Sequence, residues 1–305
     1  MINADFNSII ELLKAFPDEQ SCIEHLEELR WNGYVVSPFD PTSKVYKCKG
    51  NKYRCKNTGK YFNVKTQTLF DNTKIALQKW FLAIWLVTSH KKGISSMQLA
   101  RDIDVTQKTS WFMLHRIRKC FGIENNNDLD GDVEVDETYV GGKNKNRHAN
   151  KKVKNAQGRS MKDKAAVVGM VERGGKLNAR KVDDVGVRTL TNEIVRNVKE
   201  TANINTDEWI GYSALATMYN HSVVNHGKGE YVDGNVHTNT VEGFWSLLKR
   251  GIIGIYHFVS KKHLQNYVDE FVFRYNTREC GEAGRINWLL SNMEVRTTYR
   301  RLVHG

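Results

Sequence analysis

The sequence predicts a mixed α/β domain over residues 132–280, preceded by a small β-rich module and a helical region. Three observations carry this expectation. In DVEVDETYV (Asp132–Val140), Val133 and Val135 alternate with Glu134 and Asp136, the pattern of a half-buried strand, and Gly141-Gly142 ends it. Ala165–Glu172 (AAVVGMVE) and Leu177–Val182 read as a hairpin joined through Arg173-Gly174-Gly175. Beyond them, stretches with apolar residues at helical spacing alternate with short strand-like runs. With 305 residues, 40% hydrophobic, 10% aromatic and three prolines, the composition is globular rather than disordered. The length suits one large domain or two to three smaller ones.

Residues 1–30 read as two N-terminal helices without visible chemistry. Ile9, Ile10, Leu12, Leu13 and Phe16 form one apolar face, Pro17-Asp18 interrupts, and Cys22, Ile23, Leu26 and Leu29 continue. Residues 31–71 are rich in turn residues, with short strands over 44–48, 52–55 and 61–64, the layout of a small zinc-ribbon-like module. The metal spacing fails, however. Ser37-Pro38-Phe39-Asp40 and Cys55-Lys56-Asn57-Thr58 stand where two C-x2-C knuckles would be, and Cys48 and Cys55 are seven apart. The expectation is a degenerate ribbon without structural Zn²⁺, held by Tyr34, Phe39, Tyr46, Tyr53, Tyr61 and Phe62 and by packing on the next domain. Its seven Lys/Arg between residues 44 and 60 suit a phosphate backbone.

Residues 72–121 read as helical. The stretch 74–89 is strongly apolar and ends in a basic turn, His90-Lys91-Lys92, followed by Gly93. Next, Ser96 is expected to cap a short helix carrying Leu99 and Ala100, residues 102–105 to turn, and Thr106 to cap a longer helix through Cys120. This is a helix-turn-helix pattern: small Ala100 allows a close crossing, Val105 packs the turn, and Met113, Leu114 and Ile117 anchor the second helix. Gln107, Lys108, Thr109 and Arg116 are then expected to face DNA. The turn lacks the usual glycine, and an ordinary helical hairpin is the alternative. Residues 122–131 (GIENNNDLDG), polar and aperiodic, read as a linker.

After the first strand of the α/β domain, residues 143–164 carry nine Lys/Arg against the single Asp163. They read as a solvated loop or a DNA-clamping arm, with Lys143, Lys145, Arg147, Lys151 and Lys152 as candidate phosphate contacts. An amphipathic helix is expected over 189–201, a strand over 204–210 carrying Asp207, a short helix over 211–219, a strand over 221–226, and a long helix over 261–277. Residues 281–305 read as a C-terminal tail. The order resembles the ribonuclease-H-like fold: three antiparallel strands, then strands parallel to the first, with helices on both sides.

A net charge of +12 favours a polyanionic partner, nucleic acid or an acidic membrane surface. No run of about 18 apolar residues is present, so no membrane span is expected. The N-terminus lacks a basic, then apolar, leader pattern. Five scattered cysteines, an odd number, speak against a disulfide framework and fit a reducing cytoplasm.

Three carboxylates stand at element ends, Asp136, Asp207 and Glu242, 71 and 35 residues apart. In residues 236–250 (VHTNTVEGFWSLLKR), Glu242 precedes Lys249 by seven, which at about 100° per residue puts both on one helix face. The same stretch also reads as a plain helix start, with Asn239 as N-cap and Glu242 at the third position of a capping box. Phosphodiester chemistry by two divalent ions needs about three converging carboxylates. Oxygen ligands suit Mg²⁺ or Mn²⁺, and the lack of a His/Cys quartet speaks against zinc chemistry. Glu134 and Glu137, flanking Asp136, are expected to point to the opposite strand face. His237 reads as a turn histidine or one that orients a ligand. Trp209 and Trp245 read as core, and Tyr275, Asn276 and Arg278 as braces or DNA contacts.

VEVDETYVGG, TDEWIGY, HTNTVEGFWSLLKRGIIGIYH and FVFRYNTR resemble the conserved blocks of DDE transposases of bacterial insertion sequences. The group is the ISXO-like one, with an N-terminal zinc ribbon and helix-turn-helix, and the resemblance runs from about Trp31 to Arg278. It implies 3′-end cleavage at terminal inverted repeats of double-stranded DNA, then attack of the freed 3′-OH on target DNA. By this match Asp136 and Asp207 are metal ligands, Lys249 positions a terminal phosphate, and Arg250 and the basic arm add backbone contacts. The third ligand is Glu242 or, counted from the HTN segment, Asn239. The spacing and Lys249 favour Glu242, and a neutral amide is the weaker Mg²⁺ ligand. The expectation is a cytoplasmic, nucleoid-associated enzyme that uses two Mg²⁺ or Mn²⁺ ions, acts as a homo-oligomer on DNA and has no membrane role. A non-catalytic DNA-binding regulator derived from a transposase, and a ribonuclease-H-like nuclease without strand transfer, are the alternatives.

Overall fold

Pro17 and Asp18 split the first helical run into α1 (Ile9–Ala15) and α2 (Glu19–Trp31). Asp18 accepts from the Ser21 backbone N–H at 2.8 Å and so starts the second helix. The computed structural model describes residues 6–142, 148–154, 160–225, 232, 234 and 236–304. The chain divides into two units, Met1–Cys120 with Glu279–Gly305, and Phe121–Arg278.

In the first unit, β1 (Val45–Cys48), β2 (Lys52–Cys55) and β3 (Tyr61–Phe62) form an antiparallel sheet. Its packing rests on Trp31, Tyr53 and Phe62, whose ring centroids lie 5.3–6.1 Å apart. Tyr34, Tyr46 and Tyr61, expected in that core, are instead exposed. At the knuckle positions, Asn57 donates to Asp40 at 2.8 Å through its side chain and to Ser43 Oγ at 3.0 Å through its backbone. Hydrogen bonds thus tie the two loops that knuckles would otherwise join. α3 (Leu77–Ser89) buries Trp80, Phe81, Ile84 and Val87. α4 (Ser96–Asp102) is capped by Ser95, one residue earlier than expected, and α5 (Gln107–Phe121) follows. Asp104 adopts φ 50° between them, so it takes the left-handed conformation that a glycine would supply.

In the second unit, β4 (Asp132–Val140), β5 (Ala165–Glu172) and β6 (Leu177–Val182) are antiparallel neighbours. α6 (Val187–Asn197) leads to β7 (Asn203–Asp207) and β8 (Asn220–Val224), both parallel to β4. α7 (Asn239–Gly251) and α8 (Leu264–Asn276) complete the unit. The mixed sheet has the order β6-β5-β4-β7-β8. Alternation along β4 gives each face its own core. Val133 and Val135 meet Leu190 and Ile194 of α6 on one side. Val167 and Val171 meet Val241, Trp245 and Leu248 of α7 and Val268 of α8 on the other.

Several boundaries differ from expectation. β7 stops at Asp207 because the Asp207 carboxylate accepts from Trp209 N–H at 3.0 Å and turns the chain. Residues 211–219 form no helix but two 3-10 turns, Ile210–Tyr212 and Leu215–Thr217. Residues 122–131 are not a loose linker: Leu129 is fully buried, and Asn125 donates to Ala179 O at 2.6 Å and to Asp269 at 2.7 Å. Residues 281–305 are not a tail either. α9 (Glu282–Ser291) and α10 (Tyr299–His304) pack in the first unit, where His25 bonds Asn287 at 2.9 Å and Leu69 N–H donates to Met293 O at 2.8 Å. The apolar spacing of Ile286, Leu289 and Leu290, all buried, accounts for that docking. No helix among the described residues is long and apolar enough to cross a membrane.

Candidate active site

The even residues of β4 face α7. Asp136 pairs with Gly169 on β5, and that glycine is what admits the neighbouring helix. A Cβ there would lie 2.6 Å from Trp245 Cζ2, so no larger residue fits without moving the indole. Trp245, 3% exposed, therefore lies against the strand and donates its N–H to Asp136 Oδ2 at 3.0 Å.

Two residues earlier, Glu134 also faces α7. The expectation that it points to the other face is corrected by the strand period itself, since residues i and i+2 share a face. Glu134 is fully buried and accepts from Thr240 N–H (2.7 Å), Thr240 Oγ1 (2.8 Å), Val241 N–H (3.1 Å) and Arg173 Nε (2.8 Å). His237 Nδ1 stands 3.1 Å away, and the His237 carbonyl accepts from Arg173 at 3.0 Å. The first turn of α7 is thus satisfied by a carboxylate from the sheet, with the favourable charge for a helix N-terminus. The capping-box expectation shifts accordingly: Thr238 is the N-cap, Asn239 is the first helical residue, and Thr238 Oγ1 donates to Glu242 at 3.3 Å. Glu137 does face the other side, where it accepts from the buried Tyr212 hydroxyl at 2.8 Å.

Asp136, Asp207, Glu242 and Lys249 line one cleft of about 520 Å³, with Glu137, Lys164, Trp245 and Ser246. Glu242, Ser246 and Lys249 share one stripe of α7, as the seven-residue spacing implies. Asn239 is exposed and does not line the cleft, nor does Arg250. Burial, then the negative charges of Glu137 and Asp207, with a smaller push from Glu242, raise the Asp136 carboxyl to about 7. Asp136, Asp207 and Glu242 face Lys164 and Lys249 in the cleft, with the Glu137 charge behind Asp136 on the other side of the strand. Among the described residues, no three His, Cys, Asp or Glu side chains stand close enough to hold a single ion as placed. The donor set nonetheless fits a hard divalent cation: it is all oxygen, and a carboxyl raised by burial and then by its anionic neighbours is relieved by positive charge.

A larger groove of about 800 Å³ lies in the first unit, lined by Glu24, Glu27, Glu28, Lys44 and Lys47. Its acids come from one face of α2, and Tyr53 donates to Glu27 at 3.0 Å, the pattern of a solvated helix face. The chemistry therefore points to the smaller cleft.

Other expected site residues are dispersed. Gln107 and Lys108 are exposed at the start of α5 and Thr109 is half-buried. Arg116 is a correction: it is 4% exposed, donates to Asp71 O at 2.7 Å and lies over the Trp80 and Phe112 rings, so it packs the first unit. Lys151 and Lys152 are exposed, whereas Lys143, Lys145 and Arg147 lie outside the described residues. Tyr275, Asn276 and Arg278 are braces. Asn276 bonds both backbone groups of Leu177, at 2.8 Å and 2.9 Å, Arg278 donates to Gly174 and Gly175 carbonyls, and the Tyr275 ring meets Phe244 of α7. Sequence reasoning missed Glu134, Lys164 and the donor role of Trp245. The lone glycine in an otherwise apolar strand was the available signal for the last of these.

Residues 128–276 match the ISXO2-like transposase domain. The chain is also 30% identical over 278 residues to an uncharacterized protein in the transposable element ISH50 of Halobacterium salinarum (strain ATCC 700922 / JCM 11081 / NRC-1). That similarity covers 86% of this chain and 92% of the relative.

Proposed function

The chain belongs to the family of ISXO2-like transposases of insertion sequences, and from that premise we propose that it cuts and joins DNA strands at terminal inverted repeats by two-metal phosphoryl transfer on a ribonuclease-H-like core. The observation that carries the reading is the common cleft of Asp136, Asp207, Glu242 and Lys249. Asp136, Asp207 and Glu242 would hold two Mg²⁺ or Mn²⁺ ions. Such ions, when bound, supply activation of the attacking oxygen and charge neutralisation at the leaving one.

The chain's own residues do the rest. Trp245 fixes the Asp136 carboxylate, the Trp209 N–H fixes Asp207, and Thr238 reaches Glu242 from the helix start that Glu134 anchors. Lys249 meets a terminal phosphate, with Lys164 opposing the acids on the cleft wall. Arg250, Lys151, Lys152 and the basic residues Lys143, Lys145 and Arg147 add backbone contacts, which set affinity rather than sequence choice. Glu242 is preferred over Asn239 as third ligand because only Glu242 lines the cleft. In the first unit, α4 and α5 act as a helix-turn-helix that presents Gln107, Lys108 and Thr109 to the repeat. The ribbon-like module works without structural Zn²⁺, its loops tied through Asp40, Ser43 and Asn57. The enzyme works in the cytoplasm as a homo-oligomer on DNA.

The deciding experiment incubates the purified protein with Mn²⁺ and a duplex carrying the inverted repeat that flanks its gene. Wild type nicks the 3′ end; Asp136→Ala binds the duplex and does not nick. A regulator would bind and never nick in either form. Pre-cut ends supplied with target DNA separate the nuclease alternative, which yields no joined product.

A further inference from the structure

The stripe of α7 that lines the cleft does not stop at Lys249. One turn on, the helix widens into a π-helical segment, Ile252–Tyr256, and the next residue on the stripe, Ile253, is 69% exposed. Widened turns of this kind favour functional sites. His257 then adopts φ 58° and ψ −45°, and Phe258 N–H donates to Tyr256 O at 2.6 Å. This is a γ-turn of the rare positive-φ kind, and it carries Phe258 into solvent, 76% exposed. The base of the segment is fixed: Ile252 is buried, the Tyr256 hydroxyl donates to Glu270 at 2.5 Å and its ring meets Tyr267 at 4.7 Å. Two large apolar side chains therefore project from an anchored tip.

The surrounding charge says what they meet. Lys249 and Arg250 precede the tip, Lys261 and Lys262 follow it, all exposed, and no acidic residue occurs from 243 to 268. A second copy of a chain with net charge +12 is a poor electrostatic match for that surface. A polyanion with apolar faces is a good one, and unpaired bases flanked by phosphates are such a ligand. Paired, stacked bases offer Phe258 no face, whereas a base at an opened end does.

We propose that Ile253 and Phe258 form a subsite for an unpaired base at the DNA end, with Phe258 stacked on the base while Lys249 and Arg250 hold the adjoining phosphates. The subsite rests on the transposase reading and adds to it a reason for the end to open along the α7 stripe that carries Lys249.

The test compares two duplexes carrying the flanking inverted repeat, one fully paired and one with its last two base pairs mismatched, in Ca²⁺ without turnover. Wild type is expected to bind the splayed duplex about tenfold more tightly, the scale of one stacked base. Phe258→Ala should lose that preference and keep its affinity for the paired duplex, and Phe258→Trp should restore it. Equal wild-type affinity for both duplexes, or an undiminished preference in Phe258→Ala, overturns the subsite and leaves the transposase reading standing. Sedimentation in which Phe258→Ala converts an oligomer to monomer, with affinity for both duplexes falling together, overturns it in favour of contact between copies. Wild type that binds neither duplex refutes the DNA reading itself.

Discussion

Trp245 donates its indole N–H to Asp136 at 3.0 Å, and it reaches that carboxylate because Gly169, the residue paired with Asp136 across the sheet, has no side chain. Strand pairing, helix docking and the orientation of an acid are thus one arrangement. Trp245→Phe keeps most of the packing and removes the donor, so under the proposed metal-ligand role of Asp136 strand cleavage should fall about 10- to 100-fold. Gly169→Ala should displace the indole and cost about 1–3 kcal/mol of stability as well. Single-turnover nicking beside thermal unfolding separates the two. Trp245→Phe that unfolds as early as Gly169→Ala would reduce the indole to a packing group.

The acidic cleft predicts how stability varies with pH when no divalent ion is bound. Asp136 titrates near 3.8 in an open chain and is raised to about 7 in the folded one, by burial first and then by Glu137 and Asp207. Between those values the folded state binds the proton more tightly. The contribution is complete below about pH 4 and is lost as pH rises through 7. Its full size is on the order of 4 kcal/mol. Metal-free protein should therefore melt higher at pH 5 than at pH 8, and Asp136→Asn should flatten the difference. Added Mn²⁺ should raise the melting temperature more at pH 8 than at pH 5. A wild-type difference that persists in Asp136→Asn would assign the effect elsewhere.

Glu134 predicts a cost of a different kind. Its carboxylate satisfies two backbone N–H groups of α7 and pairs with Arg173 in a fully buried position. Glu134→Ala leaves an open helix end and a half-buried guanidinium without its carboxylate, and should cost about 2–4 kcal/mol. Glu134→Gln keeps the shape and should cost less. Urea denaturation of both variants checks the order, and a Glu134→Ala loss below about 1 kcal/mol would remove the anchor role.

What was legible in the sequence was local. The alternation along β4 and the hairpin glycines placed the sheet, and Glu242 and Lys249 at helical spacing placed one wall of the cleft. Side-chain partnerships distant in sequence were not legible. Glu134 and Thr240 are 106 residues apart, and nothing in either segment announces that a sheet carboxylate will cap the helix. Asp104 could hide a tight turn because aspartate tolerates a conformation usually reserved for glycine. Residues 122–131 are polar yet ordered, since Asn125 and Asn127 bond backbone and side chains of β6 and α8 rather than water. Polarity alone does not separate a linker from a hydrogen-bonded strap.

Arg116 and Lys108 belong to the same helix and should respond oppositely. Arg116 is buried against Trp80 and Phe112, whereas Lys108 is exposed near the Tyr299 ring, 5.0 Å from its centroid. Arg116→Ala should lower the melting temperature and leave the DNA affinity of the folded protein unchanged. Lys108→Ala should leave melting unchanged and weaken binding to the repeat, with a shallower salt dependence if it meets a phosphate. Arg116→Ala that weakens binding at full stability would return this residue to the DNA surface.

Glu242 and Asn239 supply the sharpest comparison, because the two belong to the same turn of α7 and only one lines the cleft. Asn239, at the first helical position, is exposed, and its loss removes neither the Thr238 contact to Glu242 nor the Glu134 anchor. Asn239→Ala should therefore keep nicking within a few-fold of wild type. Glu242→Gln keeps size and helix propensity but replaces the carboxylate with a weaker amide ligand for Mg²⁺. Its nicking should drop by at least about 100-fold, with partial recovery as Mn²⁺ is raised. Both variants should bind the repeat as wild type does, since neither change removes a cation. The reverse result, an inactive Asn239→Ala beside an active Glu242→Gln, would require Asn239 to turn into the cleft and Glu242 to leave it when DNA binds.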